Sequence, residues 1–301
     1  MKLKRFIRRL AFHLFRALAV WLARGGMERL RKQGERLGHW HYRLSFRQRR
    51  KLQRQVQQAL PGQLDDNTAS QVIREAYRVN DRAILEILAM YSGALSIDEV
   101  SRACDLLNIT PIDQAQQRGQ GTILLGLHMG NGVAMATALA RRGYPVHVVF
   151  RESGKITPAF FANGLPRMGL IGVDAQPASS AIRRMLGVLK KNGILFILMD
   201  QGMKNGGVPA RLLGKQQQMP PGPAELARRS GAGVVIAALE GVSPRWQFRF
   251  ETPQFFQRDH SREEIVSTLT QIMQNQIEKH PQWWTWHQRR WSRYPFIEDV
   301  D

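Results

Sequence analysis

The chain has 301 residues, which is enough for one large α/β domain or two small ones with a hydrophobic core. Lysine and arginine number 44 against 24 acidic residues, which gives a formal net charge of +20. A single cysteine, Cys104, excludes an internal disulfide, and no Cys/His cluster has the spacing of metal ligands. Cys104 lies in an apolar, helix-like pattern and is predicted to be a small core residue.

The positive charge is concentrated at the start of the chain. Residues 1–54 contain 17 Lys and Arg but only two Glu, so +15 of the +20 net charge lies in this segment. Such a segment attracts a polyanion, which is a nucleic acid, an anionic membrane or an acidic protein.

Residues 2–24 are predicted to form a basic amphipathic helix, because apolar residues recur at helical spacing and basic residues lie largely on the other side. The longest apolar run, 17–23, is far shorter than the ~18–20 residues that span a bilayer. Trp and Phe on the apolar face are typical of a helix that lies in the membrane surface, so residues 1–25 are predicted to be a membrane anchor. The alternative is an ordinary surface helix packed on the domain. The apolar residues are Leu3, Phe6, Ile7, Leu10, Leu14, Leu18 and Trp21.

Residues 26–115 are predicted to be a mostly helical region packed on the core. Residues 65–67 have N-cap chemistry and begin a helix that reaches Tyr91. Ser96 and Glu99 resemble a capping box, which predicts another helix to about Leu107.

From residue 116 to 301 strands alternate with helices. This order predicts an α/β core with a mixed, largely parallel sheet flanked by helices. Residues 246–251 alternate in polarity and are predicted to be an edge strand. A final amphipathic helix is predicted over 261–279. The other predicted strands are 122–127, 146–150, 170–173, 194–199 and 234–240.

Polar side chains follow several of these strands. His128 comes after the first, Arg151 and Glu152 after the second, and Asp200 and Gln201 after the strand at 194–199. Because the ends of parallel strands lie on one edge of a sheet, these side chains can face one cleft. There His128 can act as a base near neutral pH, Arg151 can bind an anionic group and Asp200 can orient a partner. The alternatives are a turn histidine, a solvated charge and a turn residue.

The C-terminal segment 283–291 combines four tryptophans with basic residues, and it allows three interpretations. Stacking and charge can bind single-stranded nucleic acid. Trp and Arg are also common at a membrane interface. The third interpretation is a Trp-rich edge of the core with arginines that extend to solvent. No compact RNA- or DNA-binding motif is present, so we predict no nucleic-acid partner.

Four short blocks, in order, resemble the lipid A biosynthesis (lauroyl/myristoyl) acyltransferases, within the lysophospholipid acyltransferase-like group. Residues 128–133 resemble the family's His-x-Gly-Asn-Trp-Glu, and 148–151 resemble its Val-Tyr-Arg segment. Residues 199–224 resemble its Asp-Gln to Pro-x-Gly-Pro-Ala series, and 284–291 its Trp-x-His-x-Arg-Trp signature. The resemblance covers roughly residues 1–295.

The resemblance implies an acyltransferase at the inner (cytoplasmic) membrane, with its active site on the cytoplasmic face. It would move an acyl chain from an acyl carrier protein or acyl-CoA thioester to a hydroxyl of a lipid or glycolipid such as a lipid A precursor. Anionic membrane lipid would be a further partner, and no cofactor or metal is required. In this sequence we expect His128 to be the catalytic base and Asp200 to act as a substitute acid, and we expect Asn131, Arg151 and Gln201 to bind substrate.

The sequence departs from the family pattern beside the histidine. The family's motif carboxylate is replaced by Val133, and the neighbouring tryptophan by Gly132. By analogy with a catalytic triad, loss of the orienting acid lowers the rate by about 10⁴. Three outcomes stay open: Asp200 or Glu152 replaces the acid, His128 acts alone and slowly, or the protein binds a lipid or carrier without turnover.

Overall fold

The N-terminal part of the chain is helical, as predicted. A computed structural model describes residues 2–60, 62, 64–151, 159–287, 291 and 293–295. The helices of this part are α1 (Lys2–Ala23), α2 (Gly26–Leu44), α3 (Phe46–Ala59) and α4 (Asp66–Tyr91). The side chain of Asp65 accepts a hydrogen bond from the Thr68 N–H at 2.6 Å and so begins α4. A Cβ at Gly38 would lie 2.5 Å from Arg78 Cα, so glycine there allows α2 and α4 to approach closely.

Helix α1 contacts the rest of the protein mainly through its C-terminal half. Ala19, Leu22 and Ala23 are buried, and Arg16 Nε donates a hydrogen bond to Ser92 Oγ at 2.8 Å, just after the end of α4. The large apolar side chains of the other face are exposed, namely Phe6, Ile7, Leu10, Leu14, Phe15, Leu18 and Trp21. None of the helices in the described part of the chain is long and apolar enough to cross a bilayer.

Seven strands of the described residues form one mixed, largely parallel sheet, which confirms the predicted fold class. Their order is β1-β9-β8-β2-β5-β3-β4, and the β8–β9 pair is antiparallel whereas the other neighbouring pairs are parallel. Every residue of β2 is buried, as expected for a strand covered on both faces. The strands are β1 (Cys104–Leu107), β2 (Thr122–Gly126), β3 (Val146–Phe150), β4 (Ile171–Asp174), β5 (Ile194–Leu198), β8 (Gly233–Gly241) and β9 (Trp246–Phe250).

Helices flank this sheet, and a separate antiparallel hairpin joins β6 (Val208–Leu212) to β7 (Lys215–Met219). The capping box predicted at Ser96 is present, and a second capping box begins the final helix at Ser261. The helices are α5 (Ile97–Arg102), α6 (Thr110–Gln117), α7 (Gly132–Arg141), α8 (Phe160–Gly164), α9 (Ala178–Lys190), α10 (Gly222–Ser230) and α11 (Arg262–Lys279).

Two expectations about this sheet were wrong. The helix predicted to reach Leu107 ends at Arg102, and Cys104 lies on strand β1, where it is still buried. Strand β9 is not an edge strand, because it lies between β1 and β8. Both errors have one cause: the strand β1 is only four residues long and follows a capped helix, so its pairing with β9 is not visible in the local pattern. The division of the chain at residue 116 stays a prediction, although β1 precedes it and belongs to the main sheet.

Candidate active site

His128 and Asp200 meet at the C-terminal edge of the sheet. Strands β2 and β5 are parallel neighbours in which Gly126 pairs with Leu198. His128 and Asp200 each follow two residues after this pair, and His128 Nδ1 lies 2.6 Å from Asp200 Oδ1. The backbone N–H of His128 also donates to Asp200 Oδ2, at 2.8 Å. The register of the two strands therefore produces a two-point contact between the imidazole residue and the carboxylate.

The Asp200 carboxylate is fully buried and held by several donors. The indole N–H of Trp284 donates to Oδ2 at 2.7 Å. Burial by itself raises the pKa of Asp200, but the nearby His128 ring and the hydrogen bonds from His128 and Trp284 lower it, and the pKa lies below its ordinary value. An ionised Asp200 accepts the proton of Nδ1, which leaves Nε2 of His128 as the unprotonated nitrogen. The His128 side chain is 26% exposed, so the ring is accessible from solvent.

The C-terminal segment binds directly to the histidine turn. Thr285 donates two hydrogen bonds to the carbonyl oxygen of His128, from its N–H at 3.1 Å and its hydroxyl at 2.7 Å. Trp284, Trp286 and Trp291 are at most 2% exposed and contact one another edge to face. These three rings therefore belong to the core, as the third interpretation of this segment predicted. Arg289 and Arg290 lie outside the described residues.

The turn after His128 is fixed by a second buried carboxylate that the sequence did not single out. Asn131 is fully buried; its Oδ1 accepts from the Ala134 N–H at 3.0 Å and its Nδ2 donates to Glu86 Oε2 at 2.9 Å. Glu86 also accepts from Trp246 Nε1 at 2.6 Å and from Arg82 Nε at 2.8 Å. Arg82 and Glu86 are four residues apart in an otherwise apolar helix pattern, and this spacing in the sequence could have predicted a buried ion pair.

Gly130 permits the shape of this turn. Its φ of +61° lies in the left-handed region, and a Cβ there would be 2.8 Å from Trp246 Cζ3. The turn leads directly into α7, which begins at Gly132. Asn131 thus holds the turn with its side chain, and its role in binding substrate stays a prediction.

The structure does not bring the other predicted residues into contact with His128. Arg151 is exposed at the end of β3, which is separated from β2 by β5. Gln201 follows Asp200 directly and is half-buried. Val133 lies in the first turn of α7 and is partly buried against the core. Glu152 lies outside the described residues. Within those residues, no group of three or more His, Cys, Asp or Glu side chains could hold a metal ion.

The fold and this site define an α/β protein with a partly exposed histidine paired to a buried carboxylate at the C-terminal edge of a parallel sheet. The sequence model described as bacterial lipid A biosynthesis acyltransferase matches residues 2–293. The chain therefore belongs to the bacterial lipid A biosynthesis acyltransferase family, which confirms the resemblance seen in the sequence. Members of this family transfer acyl groups to lipid acceptors and are typically membrane-associated. A search of curated proteins gave no match.

Proposed function

We propose that this protein is a membrane-associated acyltransferase that moves an acyl chain from an acyl carrier protein or acyl-CoA thioester to a hydroxyl of a lipid or glycolipid such as a lipid A precursor. The observation that carries this proposal is the 2.6 Å contact between His128 Nδ1 and Asp200 Oδ1. Asp200 supplies the carboxylate that the family motif places at the position of Val133, so the loss of that residue leaves the histidine with an acidic partner.

In the proposed reaction, Nε2 of His128 takes the proton of the acceptor hydroxyl as the oxygen attacks the thioester carbonyl. The negative charge of the Asp200 carboxylate stabilises the imidazolium that forms, and its geometry holds the ring in one orientation. The tetrahedral intermediate then collapses, the carbon–sulfur bond breaks, and the proton returns from His128 to the leaving thiolate. Acyl transfer from a thioester balances without a metal or redox cofactor.

The oxyanion of the intermediate needs donors close to His128. We assign this role to backbone N–H groups of the turn 130–132, where the positive end of the α7 dipole adds to their effect. Asn131 contributes by fixing the turn through Ala134 and Glu86. Arg151 and Gln201 complete the proposed site: the exposed guanidinium of Arg151 would bind a phosphate group of the acceptor, and Gln201 would donate to substrate beside Asp200.

The exposed apolar face of α1 supports membrane association. Seven large apolar side chains of this helix lie in solvent, and burying them in the interfacial region of a bilayer is favourable. We place residues 1–25 on the cytoplasmic face of the inner membrane, where the thioester donor is available. Anionic lipid headgroups would attract the basic residues of the same segment.

A second candidate function rests on Val133. Its isopropyl group occupies the position of the motif carboxylate and can neither accept a hydrogen bond nor carry charge. A protein without the orienting acid would bind lipid or acyl carrier protein without turnover. The closeness of Asp200 to His128 favours catalysis over this alternative.

The deciding experiment uses the purified full chain, an acyl carrier protein thioester, acyl-CoA and a lipid A precursor as acceptor. We expect acylated product with the wild type and at least about a 10²-fold lower rate with His128→Ala. The binder alternative predicts no product from the wild type with either donor and product from Val133→Glu. Equal rates for the wild type and His128→Ala would refute the proposed mechanism.

A further inference from the structure

Helix α3 carries a cluster of basic side chains that is separate from the site around His128. Residues 46–59 contain five basic and no acidic side chains. We name as the α3 basic surface the residues Arg47, Arg49, Arg50, Lys51, Arg54 and, from α4, Arg74. In the part of the chain that the structure describes, none of these six side chains lies within 4 Å of a carboxylate oxygen. Their charge is thus left for a partner.

The α3 basic surface is concave rather than flat. One groove of about 400 Å³ is lined by Arg49, Arg50 and Arg74, and another of about 470 Å³ by Arg50, Lys51 and Arg54. Arg50 lines both, so the two grooves adjoin at this residue. The guanidinium groups of Arg49 and Arg74 lie 5.1 and 5.7 Å from the ring centre of Tyr42 and are oriented by it. The arrangement can receive several carboxylates from a convex acidic surface.

The surface adjoins the loop that carries the catalytic carboxylate. Tyr294 and Pro295 line the larger groove. The hydroxyl of Tyr294 donates to the carbonyl of Met203, and Arg293 donates to the carbonyl of Gly202 at 3.1 Å. Gly202 is two residues from Asp200, so the larger groove is connected through Tyr294 to the loop that follows the proposed catalytic carboxylate.

This surface is separate from the apolar face of α1. Arg16 of α1 donates a hydrogen bond to Ser92, which directly follows the C-terminal end of α4. Arg74 of the α3 basic surface lies in the N-terminal third of the same helix. The distance along α4 from Arg74 to Tyr91 is about 25 Å. Leu44 and Phe46, 75% and 52% exposed, flank the arginines and add the apolar contact area that protein interfaces combine with arginine.

We propose that the α3 basic surface is the docking site for an acidic acyl carrier protein, which presents its thioester to His128 from this side. This inference rests on the proposed transfer from a carrier-protein thioester. Acyl carrier proteins are acidic, and an acidic surface complements the charge of the two cationic grooves. The α1 face is then left for the membrane.

The test measures binding of a bacterial holo-acyl carrier protein to the full chain in detergent by calorimetry at low and moderate salt. All proteins carry His128→Ala, so that binding is read without turnover. We expect Arg50→Glu with Arg54→Glu to weaken binding at least about tenfold, and wild-type affinity to fall as salt rises. The matched control is Arg229→Glu with Arg258→Glu, which changes the net charge equally at another arginine-lined groove of about 400 Å³ and should stay within about twofold of the parent.

A parallel arm measures binding of the same proteins to vesicles that contain anionic phospholipid, and we expect the α3 variant to bind them as the parent does. The proposal is overturned if the parent does not bind the carrier, if both double variants lose affinity equally, or if the α3 variant loses vesicle binding and keeps carrier binding. Transfer from acyl-CoA by the protein with His128 intact is measured separately. That measurement shows whether the proposed acyltransferase function fails, whatever the result for docking.

Discussion

Nδ1 of His128 lies 2.6 Å from Oδ1 of Asp200, although 72 residues separate the two in the chain. The other oxygen of Asp200 accepts hydrogen bonds from the His128 N–H and from Trp284. These contacts hold the carboxylate within hydrogen-bond distance of the imidazole. In a family whose motif places the acid five residues after the histidine, this protein has Val133 there and an acid from the neighbouring strand.

Replacing Asp200 by asparagine should lower kcat by up to about 10⁴, because the amide can no longer hold the correct tautomer of His128 or stabilise its charged form. KM should change little, since Asp200 is buried and does not reach substrate. Steady-state kinetics with a carrier-protein thioester check this. Asp259→Asn is the control and should keep wild-type kcat, because the Asp259 side chain is 81% exposed and has no contact with His128 or Asp200 among the described residues. An Asp200→Asn enzyme with more than about a third of wild-type kcat would contradict the role of Asp200.

Replacing Glu86 by glutamine should lower the free energy of unfolding by up to about 3 kcal/mol, because it leaves the buried charge of Arg82 with only the more distant carboxylate of Glu35, at 3.6 Å. The same change weakens the support of Asn131 and of Trp246. Urea denaturation followed by tryptophan fluorescence measures the loss. Asp98→Asn breaks the exposed pair with Arg141 and should cost less than about 1 kcal/mol. Equal losses for both variants would show that burial of the Glu86 pair is unimportant.

Replacing Leu14 by aspartate should shift the protein from the membrane to the soluble fraction without lowering its stability. Leu14 is 62% exposed on the apolar face of α1, so the change removes membrane contact but no packing in the core. His13→Asp is the matched control, because it adds an acid at an adjacent exposed position outside the apolar face. Fractionation in the presence of salt and of detergent gives the readout. Retention of the Leu14 variant in the membrane fraction would argue against α1 as the anchor.

Acid should destabilise the fold in part through His287, whose ring stacks on Tyr77 with centroids 4.9 Å apart. Burial of the ring lowers the pKa of His287 to about 4, against 6.5 for the free side chain. The unfolded chain therefore binds more protons than the folded one between these values, so stability falls as the pH drops from 6.5 toward 4. The contribution lost by pH 4.5 is about 2 to 3 kcal/mol.

The readout is the difference in unfolding free energy between His287→Phe and the wild type at pH 7 and at pH 4.5. The phenylalanine keeps a ring against Tyr77 but does not titrate, so the variant should gain stability relative to the wild type as the pH falls. His41, whose pKa is raised by its hydrogen bond to Asp81, is present in both proteins and contributes with the opposite sign. A pH-independent difference would show that His287 does not titrate in this range.

Helices and long buried strands could be predicted from the sequence because their signals are local. The capping box at Ser96, the amphipathic pattern of residues 261–279 and the apolar run of β2 each predict an element that begins within a few residues of its observed start. Strands β1 and β7 could not be predicted in this way. β7 contains Lys215 and three consecutive glutamines, and it becomes a strand by pairing with β6, which is a contact that periodicity does not encode.

The sequence alone was enough to predict that His128 and Asp200 lie at strand ends and that the N-terminal segment is basic. Its motifs were also enough to indicate the family to which the chain belongs. Only the tertiary structure shows which carboxylates contact His128 and the turn that follows it. Asp200 reaches the ring because β2 and β5 are neighbours in a register that pairs Gly126 with Leu198. Glu86 reaches Asn131 from α4 by helix packing. Both contacts form between segments that are distant in sequence. Which segments become neighbours depends on how the whole hydrophobic core packs, and no local sequence pattern determines it.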